Sequence, residues 1–332
     1  MTALRIGLIG AGMVSRHHLI AWSKIPDRAQ VVAIADPSTA NAGTRASEFD
    51  VPAIYADAQA MLKAERLDAI DIAAPREVHA AMVRLGAEHN LAVLCQKPLA
   101  PDLEQAAELV AEMAGRIRLM VHENWRFRPY YRDAAAWIGE GLVGTIQQCR
   151  ITLVTSGLLA DAQGNRPALV RQPFMRELKR MIVAEVLIHH LDTLRVLCGD
   201  LQVTAATLGR SAPDMAGEDK ALIQMQAANG AAVSLLGNMA APGQPAVQVD
   251  RMELFGDRGS LSLEGDTLNC TGAVQREKTY DLAACYQAAY DGVIAHFIDA
   301  LQTGAPFETS PDDNLKTLQL VEDAYRLAAW PH

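Results

Sequence analysis

Only five cysteines occur in 332 residues, and none stands in a C-x-x-C pair. An odd, scattered set (Cys95, Cys149, Cys198, Cys270 and Cys285) supplies neither a disulfide framework nor the paired thiolates of a zinc cluster, and reads as reduced packing residues. Basic charge is also short. Thirty lysines and arginines face thirty-nine aspartates and glutamates, a formal charge of −9, so the phosphate-neutralising surplus of a dedicated nucleic-acid binder is missing. Charge, Gly or Pro interrupts every apolar stretch well before the roughly 20 residues a membrane span needs. Met1 leads directly into a strand-like Leu-Arg-Ile-Gly-Leu-Ile-Gly with no leader pattern before it. Internal repeats and low-complexity tracts are absent. The expectation is a soluble, cytoplasmic protein of about two domains, with half its residues hydrophobic and able to form real cores.

What is present falls into two patterns. From Arg5 to about Lys97, short β-branched runs alternate with amphipathic helical segments, which predicts a doubly wound parallel sheet. The predicted strands are Arg5–Ile9, Val31–Ala35, Ala69–Ala73, Ala92–Cys95 and Leu119–His122. The predicted helices are Val14–Lys24, Asp57–Lys63, Arg76–His89 and Leu103–Ala114. After Pro129, strand-like runs follow one another: Thr145–Thr155, Leu201–Gly209, Lys220–Ala227, Ala231–Met239, Gln248–Phe255 and Ser260–Leu263. They predict a mainly antiparallel sheet, with hairpins at Asn229-Gly230 and Asp257-Arg258-Gly259. A long helix, Val183–Cys198, interrupts this half, and two more (Leu282–Leu301 and Asp312–Ala328) close it. Ser156–Pro173 is the most irregular stretch, and loops of that length are more often functional than idle.

Three motifs carry chemistry. Gly10-Ala11-Gly12-Met13-Val14-Ser15 links the first strand to the first helix, as a turn does that lets backbone amides and a helix N-terminus approach a pyrophosphate. Asp36 ends the second strand 24 residues after Gly12, near the spacing of a ribose-binding acid. Its carboxylate would repel a 2′-phosphate, and Pro37-Ser38 offers no arginine, so NAD is expected over NADP. Gln96-Lys97-Pro98 ends a buried-looking strand, where ligands of doubly wound sheets bind. Lys97 there is either a surface lysine or a group that holds a substrate hydroxyl or passes a proton. In Glu185-Val-Leu-Ile-His189-His190-Leu-Asp192, at about 100° per residue, Glu185, His189 and Asp192 share a sector of roughly 60° opposite Leu187, Leu191, Leu194 and Cys198. That face is either a solvated polar stripe or a general base with a charge-stabilising partner. The spacing H-x-x-x-H is missing, so no metal site is expected.

Together these segments resemble the Gfo/Idh/MocA oxidoreductases (glucose-fructose oxidoreductase, inositol dehydrogenase, rhizopine catabolism). The resemblance runs through GLIGAGMVSRHH, Asp36, Ala74-Pro75-Arg-Glu-Val-His79, Gln96-Lys97-Pro98, Glu123-Asn-Trp125-Arg126-Phe-Arg-Pro129 and the Glu185/His189/Asp192 helix. It implies an N-terminal Rossmann domain (1–124), a substrate and oligomerisation domain with an open-faced antiparallel sheet (125–310), and a C-terminal helix (311–332) returning to the first domain. It further implies NAD contacts from Gly10, Gly12, Met13, Val14, Asp36, Ala74, Pro75, His79, Gln96, Lys97, Trp125 and Arg126. Lys97, Glu185 and His189 take the catalytic roles, with His189 or Lys97 removing a hydroxyl proton; Arg171 and Gln172 join them in holding substrate.

Two departures stand out: Gln96 replaces the usual glutamate before the lysine, and Glu185 the usual aspartate before the histidine. The loop and helix are most similar to the aldose-oxidising members, including those acting on a branched pentose such as apiose. An inositol or other polyol dehydrogenase, NAD-assisted glycoside cleavage, reduction of a non-sugar carbonyl and a non-catalytic NAD- or sugar-sensing regulator are the alternatives. The resemblance also implies a homodimer or homotetramer.

Overall fold

The computed structural model describes residues 3–331; Met1, Thr2 and His332, at the ends of the expected outer domains, lie outside the described residues. The chain divides into two compact units, one formed by residues up to Arg128 with Tyr286–Leu318, the other by Pro129–Cys285 with residues from Gln319 onward.

The first unit is built on a six-stranded sheet of β1 (Leu4–Ile9), β2 (Ala29–Ala35), β3 (Ala53–Tyr55), β4 (Ala69–Ile72), β5 (Ala92–Gln96) and β6 (Leu119–His122). The order is β3-β2-β1-β4-β5-β6 and every pair is parallel. Parallel strands need crossovers, which here are α1 (Ser15–Trp22), α2 (Thr39–Phe49), α3 (Ala58–Ala64), α4 (Arg76–Glu88) and α5 (Leu103–Met113). Helices cover both faces. Met61, Val83 and Leu109 pack on one side around Ile70 and Ile72, while Trp22, Ile294 and Phe297 pack on the other around Ile6 and Leu94. Fully burying each such side chain is worth about 1.5–3 kcal/mol. The strand reversal between β1 and β4 opens the crevice in which doubly wound sheets take their ligands.

Two elements of this unit escape the sequence pattern. α2 has only Ala42 and Ala46 buried, and it starts where Ser38 Oγ accepts the Asn41 N–H at 3.3 Å. β3 has three residues at the sheet edge.

The second unit begins with α6 (Pro129–Gly139), an aromatic-bearing helix that the boundary reading at Pro129 passes over. Its sheet comprises β7 (Ile146–Val154), β8 (Leu201–Gly209), β9 (Lys220–Ala227), β10 (Ala232–Asn238), β11 (Asp250–Gly256), β12 (Gly259–Glu264), β13 (Thr267–Gly272) and β14 (Arg276–Thr279), in the order β14-β13-β12-β11-β7-β10-β9-β8. All pairs are antiparallel except β7 with β10. The chain leaves β7 and makes helices and two further strands before β10 is laid beside it. Both expected hairpin turns form, at Asn229-Gly230 and Asp257-Arg258.

β9 shows the strict alternation of a sheet with one covered face: Ala221, Ile223, Met225 and Ala227 are buried and the residues between them exposed. The short helix α7 (Pro167–Arg171) lies in the irregular loop, and α8 (Ile188–Cys198) carries His189, His190 and Asp192 of the third motif. α9 (Leu282–Thr303) and α10 (Pro311–Leu327) each contribute residues to both units. Ser310 caps α10, its Oγ accepting the Asp313 N–H at 3.2 Å.

The predicted helix Val183–Cys198 is corrected in one respect: Ile182–Leu187 is a π-helical turn, and α geometry begins at Ile188. The Glu218 carboxylate accepts the N–H groups of Met181 and Val183, each at 3.1 Å, and the Tyr325 hydroxyl accepts that of Ala184 at 3.2 Å. These contacts occupy donors that the turn itself leaves over.

Candidate active site

In the first unit the turns after β1, β4 and β5 all open at the carboxyl edge of the sheet, because the strands are parallel. The β1 turn is shaped by two glycines with different duties. Gly10 has φ +101°, and a Cβ there would stand 2.5 Å from the Ala73 carbonyl oxygen, so only glycine fits. At Gly12 a Cβ would meet nothing within 4 Å. The fold therefore leaves room at Gly12 that a bound molecule can take.

α1 starts at Val14 with no side chain capping it, so its first amides stay open to an anion. Ser15, in the position usually held by a third small glycine or alanine, donates its hydroxyl to the Gly12 carbonyl at 2.7 Å and braces the turn. Met13 is exposed. Asp36 accepts the Ala11 N–H through Oδ2 and the Ser38 N–H through Oδ1, both at 2.7 Å. It thus ties the end of β2 to the glycine turn while its carboxylate faces the same edge. Arg45, on the unforeseen α2, reaches the Gly12 carbonyl at 3.4 Å and shares its charge with Glu48.

His79 joins the other two turns. Its Nδ1 lies 2.8 Å from the Pro98 carbonyl and its Nε2 2.9 Å from the Ala74 carbonyl, so it spans the Ala74-Pro75 turn and the Lys97-Pro98 turn. Burial holds its pKa below the ordinary histidine value, against the raising effect of the two carbonyls. The Lys97–Pro98 peptide is cis. Gln96 Oε1 accepts the Lys97 N–H at 3.0 Å.

Beneath this turn lies a polar group that the sequence reading did not anticipate. Asp71 accepts from Trp22 Nε1 at 2.8 Å and faces His18 Nδ1 at 2.8 Å, while Gln96 Nε2 lies 2.9 Å from His18 Nε2 and 3.4 Å from His122 Nδ1. The signal was present: an aspartate inside the apolar run Ala69-Ile-Asp-Ile of a central parallel strand must have partners.

Trp125 and Arg126 occupy a 3-10 turn after β6 and are both buried. The Arg126 guanidinium pairs with Asp313 at 2.6 Å and donates to the Glu308 carbonyl at 3.1 Å. The Arg128 guanidinium lies 3.3 Å from the centre of the Trp125 ring.

In the second unit Glu185 is half-buried inside the π turn, its N–H donating to the Met181 carbonyl at 2.8 Å, and His189 is 9% exposed on the first turn of α8. A closure from i to i+5 widens the turn, so the four-residue step from Glu185 to His189 runs closer to one full turn than α geometry gives. The expected division into a packed and a polar face does not hold. Asp192 and His190 are as buried as Leu191 and Leu194, and His190 Nε2 meets Asp250 Oδ1 at 2.9 Å. Asp250 also accepts from the hydroxyls of Tyr130 at 3.3 Å and Tyr131 at 3.0 Å. Arg171 is exposed at the end of α7, beside half-buried Gln172 and between exposed Val170 and Phe174.

Among the described residues no group of three or more His, Cys, Asp or Glu is placed to hold a metal ion, and no helix is long and apolar enough to cross a membrane.

Comparison with known proteins agrees with this architecture. Residues 4–123 match the model of an oxidoreductase family with an NAD-binding Rossmann fold, and residues 131–262 match the GFO/IDH/MocA C-terminal domain. A D-apiose dehydrogenase of Paraburkholderia graminis is 34% identical over 96% of this chain and 86% of its own length. An inositol 2-dehydrogenase of Rhizobium meliloti is 29% identical over 98% and 97%. An oxidoreductase from Agrobacterium radiobacter, solved in complex with NAD+, L-tartaric acid and magnesium, superposes with a TM-score of 0.91 at 28% identity, covering 99% of this chain and 97% of that one. With a glycine turn, an uncapped helix start and a strand-end carboxylate that suit a dinucleotide, the chain belongs to the Gfo/Idh/MocA family and is an NAD-dependent oxidoreductase.

Proposed function

We propose that the chain oxidises a hydroxyl of a sugar or polyol, with an aldose, and a branched pentose such as D-apiose in particular, as the first candidate. The observation that carries this reading is the Lys97 turn: a lysine held at the carboxyl end of β5 by Gln96 and His79, on the same sheet edge as the glycine turn. Likeness to a D-apiose dehydrogenase over nearly the whole chain supports the choice of sugar, and likeness to an inositol 2-dehydrogenase keeps cyclic polyols as the second candidate.

In this reading Gly10, Gly12, Met13 and Val14 present backbone amides to the pyrophosphate, and Asp36 binds the adenosine ribose hydroxyls. Ala74, Pro75, His79, Gln96, Trp125 and Arg126 shape the remaining wall for the cofactor. When bound, NAD accepts hydride at the nicotinamide C4. The protein's part is to orient the sugar and take the hydroxyl proton: Lys97 at Nζ or His189 at its ring nitrogen is the acceptor, and Glu185 stabilises the cationic partner. Arg171 and Gln172 hold the remaining hydroxyls. Oxidation at the anomeric carbon of an aldose in this way yields a lactone.

Incubating the purified protein with NAD and a panel of aldoses, ketoses and inositols, while following reduced-nicotinamide absorbance, tests the proposal. Reduction is expected with an aldopentose or a related polyol. Tight NAD binding with no reduction by any member of the panel would overturn it in favour of a sensor.

Self-association through the open face of the second unit's sheet is part of the same proposal. Leu222, Leu236 and Phe255 are between 38% and 43% exposed there, and light scattering should return the mass of a dimer or tetramer.

A further inference from the structure

We propose that His18 and Asp71, buried beneath the Lys97 turn, are positioning residues that fix Lys97 through the side-chain amide of Gln96. This rests on the reading of Lys97 as a substrate-handling group and extends it to the residues behind it. The hydrogen-bond directions follow from the ends of the series. The Lys97 main-chain N–H can only donate, so the Gln96 atom 3.0 Å from it is the amide oxygen. The amide nitrogen is thereby turned inward, 2.9 Å from His18 Nε2 and 3.4 Å from His122 Nδ1, and its two protons make acceptors of both. His18 therefore carries its proton on Nδ1 and donates it to Asp71. Trp22 Nε1–H, which can only donate, takes Asp71 Oδ2 at 2.8 Å, and His18 Nδ1 lies 2.8 Å from that same oxygen and 3.0 Å from the other.

Every proton between Asp71 and Lys97 thus has one assigned side. His18 and Asp71 have no solvent exposure and Gln96 has 8%, so no bulk water is at hand to relieve a wrong-way contact. Asp71→Asn removes the charge from the end of the series: Trp22 retains the remaining oxygen, and His18 Nδ1 is left between that oxygen at 2.8 Å and the new amide nitrogen at 3.0 Å, so its hydrogen bond loses strength without a forced change of tautomer. Adding Gln96→Glu puts the charge at the other end, where a carboxylate accepts from both His18 Nε2–H and the Lys97 N–H, and the proton moves to Nε2.

The test is nitrogen-15 NMR of the histidine rings in the full-length protein, run beside steady-state kinetics. Wild type should show His18 protonated on Nδ1. Asp71→Asn should lower kcat about tenfold to a hundredfold as the hold on the turn weakens. The double variant should show the proton on Nε2 and recover kcat to within a few-fold of wild type.

The proposal is overturned if Asp71→Asn leaves kcat intact, if it loses turnover that Gln96→Glu does not restore, or if the double variant keeps His18 on Nδ1. Should Asp71→Asn not fold, Gln96→Glu alone decides: a doubly protonated His18 supports the series and a singly protonated one overturns it. Lys97→Met separates the two readings. Undiminished turnover in that variant would sink the role of Lys97, while the His18 tautomers are read without turnover and judge the network directly.

Discussion

Each unit of this protein buries a histidine–aspartate pair, His18 with Asp71 and His190 with Asp250, and the two stand behind candidate site residues in different ways. His18 and Asp71 act at a distance of two side chains, on a turn at a strand end. His190 and Asp250 act at a distance of one residue: they pin α8 immediately after His189, with two tyrosine hydroxyls sharing the same carboxylate. The difference reflects the elements that carry the site. A turn has few internal hydrogen bonds and needs side chains to hold its shape, whereas a helix holds its own shape and needs only to be fixed against the sheet.

The largest expected effect breaks the comparison at its centre. Lys97→Ala and His189→Ala should each lower kcat by roughly 10²–10⁴-fold, the range of positioned acid–base groups, with NAD affinity measured by titration left nearly unchanged. Loss of cofactor binding instead would show that the roles are misassigned. Asp250→Ala should then cost about 3 kcal/mol in chemical denaturation, because three donors lose a shared buried acceptor. Its turnover should fall chiefly through His189, so rescue of stability without rescue of rate by Asp250→Asn would sharpen the distinction from the first pair.

Asp36 comes next. Asp36→Ala should weaken NAD about tenfold to a hundredfold, the worth of hydrogen bonds to a charged group, and relax discrimination against NADP. Asp36→Asn can keep one of the two turn contacts and should lose less affinity. Unchanged cofactor preference in both would remove the ribose contact from the account.

The smallest effect is a pH dependence from His79. Burial lowers its folded pKa below the unfolded value near 6.5. Above that value both states are neutral and its contribution is fully present. As pH falls below it the unfolded chain binds the proton first, so stability declines until the folded pKa is reached. His79→Gln should flatten that part of a stability profile recorded by thermal melting.

Legibility in the sequence followed how local the controlling physics is. The strands β1, β2, β4, β5 and β6 were readable because apolar runs buried on both faces have few alternatives, and the glycine turn because Gly10 answers to a contact with the adjacent strand. α2 was not, since Gly43, Thr44 and Ser47 carry weak helix propensity and only tertiary packing of Ala42 and Ala46 holds it. β14, all four residues exposed and polar, offers no alternation to detect. The π turn was hidden for a different reason: its widening answers to Glu218 and Tyr325, which lie far away in sequence. The polar wheel drawn for Glu185, His189 and Asp192 therefore rested on an angle per residue that the first of them does not obey.

The empty space at Gly12 has a last consequence. On the proposed reading the dinucleotide is received there by main-chain amides, which no side-chain substitution can delete. Affinity at this point can be destroyed only by adding atoms. Gly12→Ala, whose added Cβ meets nothing within 4 Å in the fold itself, should melt like the unliganded wild type yet lose the thermal shift that saturating NAD confers on it, a gain that grows as RT ln(1 + [L]/Kd).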